Sequence, residues 1–158
     1  MHPNVDRVVE AARAGGIEIE VERFPAGTRT AADAARAVGC GVAQIVKSLV
    51  FVADDAPVIA LVSGANRVDV DLLATALGAR HVRRADGDEA RAATGFAIGG
   101  VPPFGHASAT TVVVDPSLLD HGRVWAAAGL PDAVFAIAPA ELVRVSGGRV
   151  VAVAEVQG

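Results

Sequence analysis

The chain has 158 residues and a net charge of −4, with 52% hydrophobic and 20% charged residues. This composition excludes a globally disordered chain, since it supplies enough apolar side chains for a core. The acidic balance argues against a protein that holds DNA or long RNA on a broad basic face, although the end of an RNA exposes few phosphates. We therefore expect one domain over residues 1–158.

Signals for targeting, membrane insertion and metal binding are missing from the sequence. Cys40 is the single cysteine, so neither a disulfide within the chain nor a cysteine-based metal site can form. The N-terminus begins no apolar signal-type run, and no stretch reaches the ~18 apolar residues that a membrane span needs. We expect a cytoplasmic protein that uses neither a metal ion nor an organic cofactor.

The N-terminal part of the sequence predicts a helix, a strand and a second helix. Asn4 is a suitable N-cap for a first helix that ends at Gly15. Isoleucine or valine alternates with glutamate over residues 17–22, which predicts a half-exposed strand. Thr30 is a suitable N-cap for a helix over residues 31–38.

The central part predicts an antiparallel hairpin followed by two helices. Apolar runs of strand length at 45–53 and 58–62 are joined by a polar turn at 54–57. Asp69 is a suitable N-cap for the helix that follows the hairpin. Residues 86–94 have the pattern of a short polar helix, with Asp86 as a cap residue.

The C-terminal part predicts further strands around an irregular loop. Residues 96–105 are rich in glycine and proline, which excludes regular structure. Apolar runs predict strands at 110–114, 133–137 and 150–153, with one helical turn at 140–143. Hairpins without a strict βαβ rhythm indicate an α/β fold of the α+β type, with a mixed, largely antiparallel sheet and flanking helices.

Lys47 is the one lysine among the 14 basic residues, all the others being arginines. It lies in an apolar strand, on the same face as Ile45, Leu49 and Phe51. An ammonium group is a compact charge whose pKa falls on burial, whereas a guanidinium is a broad fork that stays charged. We interpret Lys47 as a functional cation that needs an anionic or carbonyl partner. The alternative is a lysine that discourages pairing at a strand edge.

The loop over residues 95–106 is the most unusual segment of the chain. Its glycines let a ligand approach the backbone, and its two consecutive prolines stiffen it. The remaining N–H groups could bind a carboxylate, a phosphate or a developing oxyanion. His106, directly after the prolines and Gly105, could bind substrate or transfer a proton. A rigid surface turn beside a structural histidine is the alternative.

Three motifs in this order carry a resemblance to a known family. They are Ile45-Val46-Lys47-Ser48-Leu49-Val50-Phe51, then Ala60-Leu61-Val62-Ser63-Gly64, then the loop from Gly99 to His106, together with a helix start at Thr30. The set resembles the YbaK/EbsC family, whose members are free-standing relatives of the editing domain of bacterial prolyl-tRNA synthetase. The likeness extends over most of the chain.

The resemblance implies hydrolysis of a wrongly attached amino acid from tRNA(Pro), with Cys, Ala, Ser and Thr as candidates. It places Lys47 near the terminal adenosine and lets the backbone of the loop hold the aminoacyl carbonyl or the attacking water. The implied catalytic residues are Lys47, Gly99, Gly100 and His106. The implied substrate-binding residues are Thr30, Ser48, Ser63, Gly64, Val101, Pro102, Pro103, Phe104 and Gly105.

The implied partner is the acceptor end of an aminoacyl-tRNA, with a synthetase as a further candidate and with neither DNA nor a membrane. Two other functions stay open at this point. A non-catalytic module of the same fold would hold an aminoacyl or nucleotide end for a synthetase. An enzyme that forms a Schiff base between Lys47 and pyridoxal phosphate would use the glycine loop as its phosphate cradle.

Overall fold

The computed structural model describes residues 2–24, 28 and 30–155. Met1 and residues 156–158 of the predicted domain lie outside the described residues. The helices of the described part are α1 (Pro3–Ala14), α2 (Ala31–Val38), α3 (Val70–Leu77), α4 (Gly87–Thr94) and α5 (Pro139–Ser146). The strands are β1 (Val21–Arg23), β2 (Val46–Ala53), β3 (Ala56–Ser63), β4 (Arg67–Val68), β5 (Val82–Arg84), β6 (Thr111–Val114), β7 (Val124–Ala127), β8 (Ala133–Ile137), β9 (Arg149–Val150) and β10 (Ala154–Glu155).

The main sheet has five strands in the order β5-β2-β3-β6-β9. The pairs β5/β2 and β2/β3 are antiparallel, whereas β3/β6 and β6/β9 are parallel. A second, antiparallel sheet has the order β1-β8-β7, and β10 pairs with β4. The predicted mixed α/β fold is therefore confirmed, with antiparallel pairs in the majority.

The predicted central hairpin forms around a two-residue turn. Asp54 and Asp55 both have positive φ, 45° and 69°, as hairpin turns that match the strand twist require. The turn sets the register Ala53↔Ala56, which places Lys47 opposite Val62. A slip by one residue would move every side chain of β2 to the other face, so this turn fixes where Lys47 points.

Both faces of the main sheet are covered. Ile59 and Leu61 of β3 belong to the larger core cluster, which α1, α5 and the second sheet cover. Ala60 and Val62 belong to a second cluster on the opposite face, beneath Leu73 of α3. A strand buried on both faces reads as a continuous apolar run, and for this reason β3 shows no alternation of apolar and polar residues.

Helix capping explains where the helices begin. Thr30, Asp69 and Asp86 each accept a hydrogen bond from a main-chain N–H of the first turn of α2, α3 and α4, as predicted. The N-cap predicted for α1 was wrong. His2 accepts from the Asn4 N–H through its ring, and the helix begins at Pro3, a residue that suits the first helical position.

Three predicted elements differ in extent from those observed. The alternation over residues 17–22 is real, but only Val21–Arg23 pairs with another strand, against β8. The turn expected at 140–143 is the eight-residue helix α5. The strand expected at 150–153 is reduced to Arg149–Val150, and β10 begins only at Ala154. Strand β7 was not predicted, because its Val-Trp-Ala-Ala sequence is half alanine, a poor strand former.

Candidate active site

The free edge of β2 defines the site. Strand β5 pairs with β2 only at residues 51–53, and a parallel bridge joins Ile45 to Trp125. The Val50 carbonyl also accepts from the Ala85 N–H at 3.0 Å, and the edge that is left between these contacts, residues 46–49, faces a cavity of about 300 Å³. Because main-chain groups alternate along an antiparallel ladder, the N–H and C=O of Ser48 point away from β3 and toward this space.

The cavity has an apolar wall and a few polar groups. The apolar wall is built by Ala31, Ala34, Val38, Ile45, Val46, Leu49, Val50, Ala85, Ile98, Val101, Trp125, Ala126, Ala127, Pro131 and Val134. The polar and glycine members are Thr28, Thr30, Lys47, Ser48, Arg84 and Gly99. Among the described lining residues there is no carboxylate, so the charged side chains that line the cavity are both cations.

The Lys47 side chain is half-buried and already hydrogen-bonded. Its ammonium group donates to the main-chain carbonyl of Asn66, which supplies the carbonyl partner expected from the sequence. Burial lowers the pKa of Lys47; Asp115 opposes this, and the charges of Arg67 and Arg84 lower the pKa further. Alternation along β2 puts the stem of Lys47 on the face of Leu49 and the buried Phe51.

A buried polar network holds the carbonyl that Lys47 binds. The Asn66 side chain donates to Asp115 Oδ2 at 2.8 Å and to Ser117 Oγ at 3.0 Å. Asp115 is only 2% exposed and also accepts from the Ser63 N–H at 3.1 Å. Neither Asn66 nor Asp115 was predicted from the sequence. The one available signal was the position of an aspartate directly after the apolar strand predicted at 110–114.

The glycine loop meets the cavity through a tight turn. The Gly100 N–H donates to the Ala97 carbonyl at 3.0 Å, and Gly99 has φ of +94°, as the third residue of such a turn requires. Gly99 and Val101 line the cavity, together with Ile98, which is 52% exposed. A Cβ on Gly100 would lie 2.9 Å from the Leu130 main chain. The structure thus brings Gly99 to the cavity and gives the Gly100 N–H to the turn.

The segment after Val101 belongs to the core instead of the cavity lining. Pro102, Pro103 and Phe104 are buried, and the ring of Phe104 lies 5.7 Å from that of Phe135. Gly105 has φ of +80° and packs so closely on α1 that a Cβ would lie 3.0 Å from Ala11. These four predicted substrate-binding residues hold the loop in place and do not line the cavity.

His106 lies outside the cavity with both ring nitrogens engaged. Its Nε2 is 2.7 Å from the Pro102 carbonyl, and its Nδ1 is 3.3 Å from Thr110 Oγ1. A carbonyl only accepts, so the neutral ring carries its proton on Nε2 and accepts at Nδ1. Burial lowers the pKa of His106, although the hydrogen bond to Pro102 raises it. The geometry makes this residue a brace for the loop.

The buried neutral state of His106 predicts a pH-dependent stability. A histidine whose folded pKa is lowered stabilises the protein fully above its ordinary value of about 6.5 and loses that contribution as the pH falls below it. We expect the Tm difference between the native protein and His106→Gln to shrink as the pH falls from neutral. A pH-independent difference, or a folded variant that loses ester hydrolysis, would contradict the bracing role.

The other predicted site residues divide between wall and support. Thr30 lines the cavity and caps α2, accepting from the Asp33 N–H at 3.0 Å. Ser63 does not line the cavity: its hydroxyl donates to the Ala43 carbonyl at 2.8 Å. Gly64 does not line it either, since it packs so tightly that a Cβ would lie 2.4 Å from the Val42 carbonyl oxygen. Ser63 and Gly64 therefore pack the end of β3 against the main chain of Val42 and Ala43, outside the cavity lining.

Sequence reasoning missed several wall residues. Trp125 lines the cavity, as do Thr28 and Pro131, and the Thr28 hydroxyl donates to the Pro131 carbonyl at 2.5 Å. Arg84 of β5 also borders the cavity. These residues come from distant parts of the chain, and no local spacing indicates that they meet.

Residues 25–145 match the family model of the aminoacyl-tRNA editing domain. The chain therefore belongs to the aminoacyl-tRNA editing domain family, and the resemblance drawn from its motifs is confirmed. No helix in the described ranges is long and apolar enough to cross a membrane.

Similar proteins agree with this membership. A crystal structure described as that of a candidate trans-editing enzyme for prolyl-tRNA synthetase covers 98% of this chain and 99% of its own, with 44% identity and a TM-score of 0.92. An uncharacterized protein YwhH of Bacillus subtilis (strain 168) is 31% identical over 134 residues, 84% of this chain and 85% of its own. Proline–tRNA ligase of Lactobacillus gasseri is 37% identical over 75 residues, 48% of this chain but only 13% of the ligase.

Proposed function

We propose that this protein hydrolyses the ester between a small amino acid and the terminal ribose of tRNA, with tRNA(Pro) carrying Cys, Ala, Ser or Thr as the candidate substrates. The observation that carries the proposal is a half-buried ammonium, Lys47, beside an apolar cavity that the Gly99 turn also lines. The family and its prolyl-tRNA-related members support the same substrate class. The domain over residues 1–158 would act as one editing module.

The reaction needs little more than orientation and charge. Water attacks the ester carbonyl carbon, the C–O bond to the ribose breaks, and the proton of the water passes to the ribose oxygen. In this proposal Lys47 stabilises the negative charge that develops, and the main-chain N–H of Gly99, which lines the cavity, donates to the carbonyl oxygen. The Lys47 ammonium must leave the Asn66 carbonyl or share its donors with the substrate, since it has three.

No protein nucleophile is required, because an aminoacyl ester is already activated. The described side chains that line the cavity carry three hydroxyls, those of Thr28, Thr30 and Ser48. The described lining contains neither a histidine nor a carboxylate that could act as a base for any of them. This composition suits attack by water or by a group of the substrate itself. It does not suit a Ser-His-Asp mechanism, which needs base and nucleophile in contact.

The size of the cavity lining determines which aminoacyl groups the site accepts. Short side chains from α2 and β7, including Ala31, Ala34 and Ala126, leave room for a small aminoacyl group. One methylene gives only about 10- to 200-fold discrimination, so such a wall rejects large residues by clash better than it ranks small ones. With Lys47 and Arg84 as its charged members, the site also disfavours lysyl and arginyl side chains.

Ser48 offers a prediction that separates function from stability. Its hydroxyl is buried and has no hydrogen-bond partner among the described residues. An unpartnered buried hydroxyl costs free energy, so Ser48→Ala is expected to keep or raise the Tm. If the hydroxyl serves a bound aminoacyl group, kcat/KM falls by about tenfold, the worth of one hydrogen bond. A lower Tm with unchanged kcat/KM would contradict this account.

A binding module without catalysis is the second candidate function. It would use the same cavity to hold an aminoacyl end for a synthetase, and tight binding of charged tRNA without turnover would favour it. The Schiff-base alternative with pyridoxal phosphate has less support, because no carboxylate among the described lining residues can pair with the pyridinium nitrogen and the ammonium of Lys47 is hydrogen-bonded.

The test is ester loss from a panel of tRNAs charged with Cys, Ala, Ser and Thr, measured against buffer and against heat-unfolded protein. The proposal expects the native protein to accelerate hydrolysis of at least one of the four. Equal rates with and without native protein, combined with measurable binding of the charged tRNA, would replace the deacylase with the binding module.

A further inference from the structure

A second concave surface lies on the outer side of Lys47. This groove has a volume of about 340 Å³. Three cations border it, Lys47 from β2, Arg67 from β4 and Arg84 from β5, and its floor is apolar, including Leu49 and Val68. We call it the basic groove. The chain as a whole has a net charge of −4, so a group of three neighbouring cations is unusual for it and calls for a physical explanation.

No carboxylate among the described residues lines the basic groove, and Glu155, which lies opposite Arg67 across the β4/β10 pair, forms no ion pair with it there. Six ion pairs occur in the described chain, and neither Arg67 nor Arg84 takes part in any of them. Asp115, which attracts Lys47, is 2% exposed and occupied by main-chain and Asn66 donors. Like charges around one groove repel one another, and an anion placed among them would relieve that repulsion.

The basic groove continues into the cavity. Lys47, Leu49 and Arg84 line both spaces, so one ligand can occupy the two at once. Arg84 is steadied by the ring of Phe51, whose centroid lies 5.5 Å from the guanidinium carbon. A guanidinium is the side chain that best fits the oxygens of a phosphate.

The geometry points to the phosphodiester backbone of the tRNA 3′ strand as the ligand of the basic groove. This inference rests on the proposed function, which places the terminal aminoacyl ester in the cavity. The nucleotides that precede the ester must then leave past Lys47, and their phosphates meet Arg67 and Arg84. The net charge of −4 disfavours contact with a longer stretch of RNA, which agrees with a ligand as short as this strand.

The experiment measures binding without catalysis. An uncharged RNA hairpin with a tRNA(Pro) acceptor stem and a CCA end is titrated with native protein, Arg67→Gln and Arg84→Gln, at salt concentrations between about 50 and 200 mM. Arg13→Gln is the matched control, because it removes the same charge from α1, which packs on the opposite face of the main sheet. The thermal midpoint of each variant confirms folding.

We expect each groove variant to weaken binding and to reduce the slope of log Kd against log salt by about 0.7, the value for one phosphate contact on a single strand. Arg13→Gln should retain the native slope. Slopes for the groove variants equal to that of Arg13→Gln would overturn the inference, as would competition by adenosine 5′-monophosphate equal to that by the hairpin. Ester hydrolysis plays no part here, so failure of the deacylase proposal would be seen separately.

Discussion

Lys47→Met is expected to slow ester hydrolysis by about 10²–10³-fold, the loss typical of removing one donor to a developing oxyanion. Methionine keeps the apolar stem and removes only the charge and its donors. Burial lowers the pKa of Lys47 and so opposes its charged form, but the Asn66 carbonyl loses its donor in this variant, so we expect only a small change in Tm. The measurement is single-turnover ester loss from charged tRNA, with Tm recorded for the same preparation.

Lys47→Arg tests whether charge alone is sufficient. The ammonium reaches the Asn66 carbonyl beside a narrow apolar cavity, where a planar guanidinium cannot present the same point charge. We expect this variant to remain at least about tenfold slower than the native protein, which corresponds to 1.4 kcal/mol in the barrier. Native activity in Lys47→Met would contradict the assigned role, and native activity in Lys47→Arg would show that any cation serves.

Gly99→Ala is expected to abolish most activity while leaving the protein folded. The positive φ of +94° is unfavourable for alanine by roughly 1–2 kcal/mol, so the turn that carries the proposed N–H donor of Gly99 should relax to another conformation. Among the described residues a Cβ there would meet Pro131 alone, at the ordinary contact distance of 3.9 Å. We expect a loss of about 10²-fold in single-turnover rate, with a modest fall in Tm.

Gly78→Ala is the matched control for that change. Gly78 ends α3 with φ of +64°, has open space around its Cβ position and does not line the cavity. It should therefore lower the Tm by a similar amount and keep the native rate. Equal losses of activity in the two variants would mean that stability, and not the placement of the loop N–H, explains the effect of Gly99→Ala.

Local patterns were sufficient for most of the fold. Capping residues located three of the helix starts, and the Asp-Asp turn located the central hairpin, because each depends on neighbours a few residues apart. Short strands were less predictable. Val21–Arg23 and Arg149–Val150 are strands because each pairs with another strand. The length of that pairing depends on residues far away in the sequence, so local propensity does not predict it.

The candidate site was predictable at its cation and at its glycine turn, but not in its partners. The apolar flanks of Lys47 and its status as the one lysine indicated the residue, yet its hydrogen bond to Asn66 depends on the buried Asp115. For the loop, the sequence could not tell which glycine lines the cavity. Gly99 lines it, whereas Gly100 is glycine because the Leu130 main chain leaves no space for a side chain.

The most direct test is a crystal structure with a 3′-aminoacylamino-adenosine, in which an amide replaces the ester and resists hydrolysis. We predict that its small side chain fills the cavity between α2 and β7, with its carbonyl oxygen about 2.7–3.1 Å from the Gly99 N–H and its ribose beside Lys47. An analogue bound away from the free edge of β2, with the cavity empty, would contradict the account.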